Sequence, residues 1–250
     1  KNNHEVFVVE GPTDIPNATT PGAFLNFGGT NIYKANQIEQ ISRAFTTGKV
    51  HEGDHIIFTD AWHPGITNIK YMSELLGIKV ITHALWHACS YDPQDFLGRL
   101  INNAPWVRHA EKSFFHSYDH NYFATDFHVK LFFDELLLDG NNEPTDMYNE
   151  AYNNRFNNGK IVRCGWPMEY VRKELEAFKG MTKRNLILFP HRVAPEKQPE
   201  IFLDLKDTLT QYEFEICMDK NYSKQEYYNA LGEAKLVFSA NLQETLGISW

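Results

Sequence analysis

Two cations, Arg192 and Lys197, stand in the stretch Asn185-Leu-Ile-Leu-Phe-Pro-His-Arg-Val-Ala-Pro-Glu-Lys197. The apolar run Leu186 to Phe189 is too short for a helix and stops at turn-forming Pro190, which suits a buried parallel strand. Pro195 then falls where a helix tolerates proline, near its first position, with Glu196 beside it. The spacing therefore puts Arg192 and Lys197 at the carboxyl end of a strand and the amino end of a helix. Open α/β sheets receive anions there, because backbone N–H groups and the helix dipole already favour negative charge. Taken singly, either side chain reads as a solvated cation; taken together they read as a phosphate site.

Other residues with chemical potential sit at the ends of further expected strands. After Lys235-Leu-Val-Phe-Ser comes Ala240-Asn-Leu-Gln-Glu244-Thr-Leu-Gly247-Ile248-Ser. Gly247 lets backbone approach a ligand closely, and a helix starting near Thr245 would add N–H donors. A carboxylate at Glu244 beside a diphosphate is favourable only if it binds something neutral, such as sugar hydroxyls; otherwise it is a capping or surface acid. His83 and His87 follow another strand, and Asp60-Ala-Trp62-His63 ends a third. Asp60 and Trp62 read as an acceptor-side pair or as a turn packed on itself. Gly28-Gly29 reads as a turn or as backbone brought close to a ligand. Among the eleven histidines, His83/His87 and His116/His120 have i, i+4 spacing. No H-E-x-x-H occurs, and proline and glycine place the first pair in a loop, so no metal site is expected. No G-x-S-x-G or Walker sequence is present, which weighs against hydrolase and NTPase readings.

The elements that would position these residues alternate regularly. Val6 to Val9 reads as a first strand, followed by a long Pro/Gly/Thr loop reaching Gly28-Gly29. Thr30 is the expected N-cap of a helix with Ile32, Ala35, Ile38, Ile41 and Phe45 at helical spacing. Strand 55–59, helix 68–76 closed by Gly77, and strand 79–82 follow. Asp92-Pro93 is expected to cap a helix through Leu100, and Pro105 to open one through about Phe115. A strand at 121–124 and a helix at 126–137, with Phe127, Leu131 and Phe132 as core candidates, precede a polar excursion from Asp139 to Lys160. Strand 161–163 and helix 168–178 lead to Gly180-Met-Thr-Lys-Arg, the expected domain boundary. A fresh pattern then runs strand 185–189, helix 195–209, strand 213–217, helix 223–233 and strand 235–239. Strands alternating with helices imply parallel sheets and crossover helices, hence α/β. The expectation is two Rossmann-like domains facing a cleft, residues 1–180 and 181–250, the second incomplete.

The composition bounds the class. A hydrophobic content of 42% over 250 residues is that of a globular chain large enough for two domains. A formal net charge of -8 argues against a surface built for broad nucleic-acid binding. Cys89, Cys164 and Cys217 are odd in number and far apart, which fits a reducing compartment and no disulfide framework. With no apolar run near membrane-spanning length and no signal peptide, a cytoplasmic setting is expected.

Three segments resemble the GT-B glycosyltransferases with retaining chemistry. Phe189-Pro-His-Arg192-Val-Ala-Pro-Glu-Lys197 is similar to that family's G-R-x-x-x-x-K segment, with Pro190-His191 in place of the glycine-containing lead. Tyr227 to Ser249 is similar to the helix, strand and start of its E-x₇-E motif. Val80-Ile-Thr-His83-Ala-Leu-Trp-His87 is similar to its histidine-bearing loop. Lys1-Asn-Asn-His-Glu-Val resembles its entry to a second strand, so the resemblance implies a chain cut at both ends, with the first strand, glycine loop and helix missing. The second glutamate of the motif would fall beyond Trp250.

The resemblance further implies that Arg192 and Lys197, with Gly247 and Ile248, bind the diphosphate of a nucleotide-sugar donor, UDP- or GDP-linked. Glu244, His83 and His87 would serve the donor sugar and the catalytic centre, and Asp60, Trp62, Gly28 and Gly29 the acceptor side. The expected activity is hexosyl or pentosyl transfer with retention, without metal or cofactor, to an acceptor that is a glycan, a small molecule or modified DNA. The rival readings are a phage-type enzyme glycosylating hydroxymethylated bases, a Rossmann-like sugar-nucleotide epimerase, and a non-catalytic sugar- or nucleic-acid-binding module.

Overall fold

A computed structural model describes residues 5–20, 25–101, 104–137, 158–166 and 168–243. The chain separates into two units, residues 1–164 and 165–250.

In the first unit, α1 (Phe27–Thr46) precedes β1 (His55–Phe58), α2 (Ile66–Leu75) and β2 (Ile81–Leu85). Then come α3 (Phe96–Leu100), α4 (Pro105–Ser117), β3 (His120–Phe123), α5 (Asp126–Phe132) and β4 (Ile161–Arg163). A π turn, Phe133–Leu137, continues α5. The strands form one parallel sheet in the order β1-β2-β3-β4, with His55 opposite Ile81, His83 opposite His120 and Asn121 opposite Ile161. Because strand side chains alternate, this register sends Phe58, Ala84 and Phe123 to one face. There they join Ile66, Ile69, Trp86, Phe114, Phe115 and Phe132 in a single core. The other face carries His55, Ile57, His83, His120 and Tyr122. Ile57 is 72% exposed, so this face is uncovered at β1, unusual for a parallel sheet.

The second unit contains α6 (Glu169–Leu175), β5 (Leu186–Phe189), α7 (Pro199–Thr208), β6 (Glu213–Ile216), α8 (Lys224–Glu233) and β7 (Leu236–Val237). Its parallel sheet has the order β6-β5-β7. Central β5 is buried along its whole length. Leu186 and Leu188 pack with Cys217, Ala230 and Ala234, while Ile187 and Phe189 pack with Phe202. A strand apolar at every position is what burial on both faces demands.

Several expectations change. The division falls at Cys164/Gly165, ahead of Gly180, because α6 packs on α8. Glu174 accepts from the Tyr228 hydroxyl at 3.1 Å, and Phe178 meets Tyr228 at 5.9 Å. Val6 to Val9 is in no strand; Val6, Phe7 and Val8 are exposed, and the segment is tied to α1 by Gln37 Nε2 donating to the Val9 carbonyl at 2.7 Å. An apolar run becomes a strand only where a ladder partner exists, and among the described residues none pairs with it.

Helix α1 starts at Phe27 under an Asn26 cap, not at Thr30. Helix α3 starts at Phe96 under Asp95, whose side chain accepts from the Leu97 N–H, rather than under Asp92. Phe127 is half-exposed, whereas Phe132 is fully buried and Leu131 packs on the core. The expected helix 195–209 is split: Pro195–Lys197 is a 3₁₀ turn, Gln198 takes φ 46 and ψ 56, and α7 begins at Pro199. Most of the polar excursion, residues 138–157, lies outside the described residues.

Candidate functional site

The second unit places Arg192 and Lys197 beyond the carboxyl end of β5. Burial of β5 on both faces fixes where its last residue, Phe189, ends, and His191 turns edge-on to the Phe189 ring at 5.3 Å. Arg192 reaches across the loop to Glu196. Its Nε and Nη2 donate to Glu196 Oε1 at 3.2 and 2.6 Å. Glu196 is only 3% exposed, so the guanidinium is held by an acid that cannot swing away. Lys197 lies on the 3₁₀ turn, with its N–H donating to the Ala194 carbonyl at 2.9 Å. It is therefore not in the first turn of α7, as the sequence pattern suggested: the left-handed Gln198 intervenes.

The loop after β7 arrives at the same place. Phe238 N–H continues the ladder to the Leu188 carbonyl at 2.9 Å, and Leu242 N–H donates to the Glu196 carbonyl at 3.0 Å. The two stretches that carry the cations and lead to Glu244 are thus joined by a backbone hydrogen bond. Glu244, Gly247 and Ile248 themselves lie outside the described residues. Glu196 was missed as a structural element of the site. The sequence carried no clear signal for it, because Arg192 lies in a loop and Glu196 in a 3₁₀ turn, where i, i+4 spacing does not by itself bring side chains together.

The first unit holds the remaining candidates, and it separates His83 from His87. His83 is not in a loop but inside β2, since the register with Ile57 and His120 continues through Leu85. On the uncovered face its ring stacks on His55 at 5.0 Å and on His120 at 4.8 Å. Its Nε2 meets His55 Nδ1 at 2.8 Å and its Nδ1 meets the Tyr122 hydroxyl at 3.0 Å. Burial, with His120 and His55 alongside, holds its pKa below the usual histidine value, against an opposing pull from Asp119. His87 does follow the strand, with Nε2 2.8 Å from the Thr59 carbonyl. His120 turns its Nδ1 to the Gly159 carbonyl at 2.7 Å. Among the described residues, no three His, Cys, Asp or Glu side chains are grouped to hold a metal ion.

Asp60 and Trp62 form a turn packed on itself. Asp60 Oδ1 accepts from Trp62 N–H at 3.0 Å, and Asp60 Oδ2 pairs with Lys34 Nζ at 3.0 Å. Lys34 also donates to the Trp62 carbonyl and lies over the Trp62 ring at 5.8 Å. The indole N–H donates to Glu111 Oε1 at 3.0 Å; Ser90 donates its N–H to the same oxygen at 2.9 Å and its hydroxyl to Oε2 at 2.6 Å. Burial raises the Glu111 pKa, partly offset by the donors from Ser90 and Trp62. Sequence reading missed Lys34, Ser90 and Glu111. The signal for Glu111 was an acid at i+4 from Val107 and i−3 from Phe114, on the buried stripe of α4.

Gly28 and Gly29 are not in a loop but in the first turn of α1. Gly29 N–H is taken by Asn26 Oδ1 at 2.7 Å and Phe27 N–H by Thr20 Oγ1 at 3.2 Å. A Cβ on Gly29 would lie 2.2 Å from the Pro16 carbonyl oxygen. That glycine therefore admits the chain's own 12–20 loop rather than a ligand. An apolar groove of about 460 Å³ between α1 and α2, lined by Tyr71, Met72 and Leu75, is separate from all of these residues.

No protein-family model matches the chain, and no curated protein matches it. Among solved structures, the chain is similar to alpha,alpha-trehalose-6-phosphate synthase from Burkholderia multivorans, with 16% identity and a TM-score of 0.39. The match covers 78% of this chain and 43% of that one. No step in the chemistry of the site rests on this likeness. No helix among the described residues is long and apolar enough to cross a membrane.

Proposed function

We propose that the chain carries the substrate-binding units of a glycosyltransferase of the GT-B kind, which moves a sugar from a nucleoside-diphosphate donor to an acceptor hydroxyl with retention. In this reading the second unit binds the donor. Arg192 offers a planar fork to phosphate oxygens and Lys197 a point charge, so charge building on the leaving diphosphate is neutralised by fixed cations, without a metal. Glu196 orients Arg192, and the loop toward Glu244, Gly247 and Ile248 supplies the groups for the donor sugar. The first unit takes the acceptor at the carboxyl ends of its strands, beside Asp60, Trp62 and His87.

The observation that carries the reading is the Leu242 N–H to Glu196 carbonyl bond at 3.0 Å. It brings together two loops, from adjacent parallel strands, whose residue types suit a diphosphate and a sugar. Donor binding to the full chain, measured by calorimetry with UDP-glucose and GDP-mannose, tests it. Arg192→Ala and Lys197→Ala should each weaken binding about tenfold or more while circular dichroism stays that of wild type. Unchanged donor affinity in both variants would sink the assignment.

A further inference from the structure

Glu111 belongs to no step of the proposed chemistry, yet it is a buried acid of the first unit whose two oxygens take three hydrogen bonds. It is fully buried on α4, and its three donors all lie outside that helix. One is the indole N–H of Trp62, in the loop after β1; the other two are the N–H and hydroxyl of Ser90, in the loop after β2. A buried carboxylate is tolerable only when its oxygens are supplied with donors, and loss of one leaves the rest short. The loops it joins leave the carboxyl ends of neighbouring parallel strands, where open α/β sheets receive ligands. From Trp62 the chain of contacts continues through Lys34 to Asp60, whose side chain is 46% exposed.

We propose that Glu111 is a positioning residue: it latches the Trp62 and Ser90 loops into one arrangement and so sets where Asp60 stands at the mouth of the first unit. Its role in transfer rests on the acceptor-side reading above; its role as a latch does not. A glutamine can keep all three contacts, accepting from the indole and from Ser90 N–H through Oε1 and meeting the Ser90 oxygen through Nε2. A leucine keeps the volume and none of the contacts.

The test is ¹H–¹⁵N NMR with amide exchange on the full chain, the Trp62 indole resonance being assigned through Trp62→Phe. Glu111→Leu should move that resonance upfield and speed exchange at residues 88–92 roughly tenfold or more, with β1 to β3 unchanged. Glu111→Gln should restore both. Unchanged exchange in Glu111→Leu, or acceleration spread evenly through the strands, overturns the proposal. Should that variant not fold, Ser90→Ala removes one contact alone, and an unmoved Trp62 indole resonance there is equally fatal. In turnover of UDP-glucose or GDP-mannose, Glu111→Leu should raise KM for the acceptor and leave KM for the donor unchanged, and a raised donor KM counts against the latch. Absence of turnover in wild type would remove the transferase reading, while the NMR result still decides the latch.

Discussion

Leu242 donates its backbone N–H to the carbonyl oxygen of Glu196 at 3.0 Å, and Glu196 in turn holds Arg192 through its side chain. The main chain of one residue thus pins the loop after β7, while its carboxylate sets the direction of a cation. A change at Glu196 is felt on both sides.

The Arg192–Glu196 pair combines a half-buried guanidinium with a carboxylate that is 3% exposed. Breaking such a pair from one side leaves charge in a poorly solvated place, at a cost of roughly 3 kcal/mol. Arg192→Ala should therefore destabilise the second unit more than Arg192→Ala combined with Glu196→Ala does relative to Glu196→Ala alone. A urea-denaturation double-mutant cycle measures this, and a coupling below about 0.5 kcal/mol would place the pair among ordinary surface ion pairs.

Gln198 holds φ 46 and ψ 56 between the 3₁₀ turn and α7. A side chain in this left-handed region costs about 1 kcal/mol relative to glycine. Gln198→Gly should raise the denaturation midpoint of the second unit, and Gln198→Val should lower it. Equal midpoints for all three would mean that the turn relaxes at no cost.

His63 is 6% exposed, and its Nδ1 accepts from Gly65 N–H at 3.2 Å. The ring proton must then sit on Nε2, which donates to Gln37 Oε1 at 3.2 Å. Protonation of Nδ1 would turn that acceptor into a donor facing a donor. Burial, aided by Lys34, lowers the pKa to about 4. The unfolded chain takes up the proton near pH 6.5, the native state only near 4, so stability is full above pH 6.5 and is lost as pH falls toward 4. The loss is on the order of 3 kcal/mol for this group. His128, buried beside Tyr91 with a pKa lowered to about 3, adds to the same slope. Denaturation midpoints between pH 7 and 4 should fall more steeply in wild type than in His63→Gln; parallel curves would remove His63 from the account.

Leu188 and Ile57 occupy parallel strands of opposite circumstance. Leu188 is fully buried in central β5, whereas Ile57 is 72% exposed on edge strand β1. Truncation to alanine should cost about 2–5 kcal/mol at Leu188 and within about 0.5 kcal/mol at Ile57. A comparable loss at Ile57 would show that the exposed face of the first sheet is covered in solution.

The alternation of strands and helices was legible because buried parallel strands announce themselves, as in Leu186 to Phe189, whose four apolar residues serve two cores. What escaped the sequence depended on contacts made elsewhere in the chain. Val6 to Val9 has strand composition, but composition does not supply a neighbour. Gly28-Gly29 has the propensity of a loop, yet Asn26 and the loop crossing at Pro16 recruit both residues into α1. Glutamine carries no mark of left-handed backbone, so the break at Gln198 was hidden. The stretch with Arg192 does follow a strand, but Lys197 falls on a 3₁₀ turn rather than in the first turn of the helix. The pairing of Arg192 with Glu196 was not seen, since a surface-coded acid gave no hint of its burial.

The row of rings on the first sheet has one more property. His120 must keep its proton on Nδ1, because the Gly159 carbonyl can only accept. Tyr122, His83 and His55, by contrast, form a chain in which every link can run either way, from the phenol outward to His55 or back again. Reversing it moves each proton across one short bond, and every ring ends neutral once Tyr122 takes a proton from solvent and His55 gives up the one on Nε2. The sheet therefore carries, across three strands, a small electrical dipole whose direction can be inverted without altering the net charge or the position of a heavy atom.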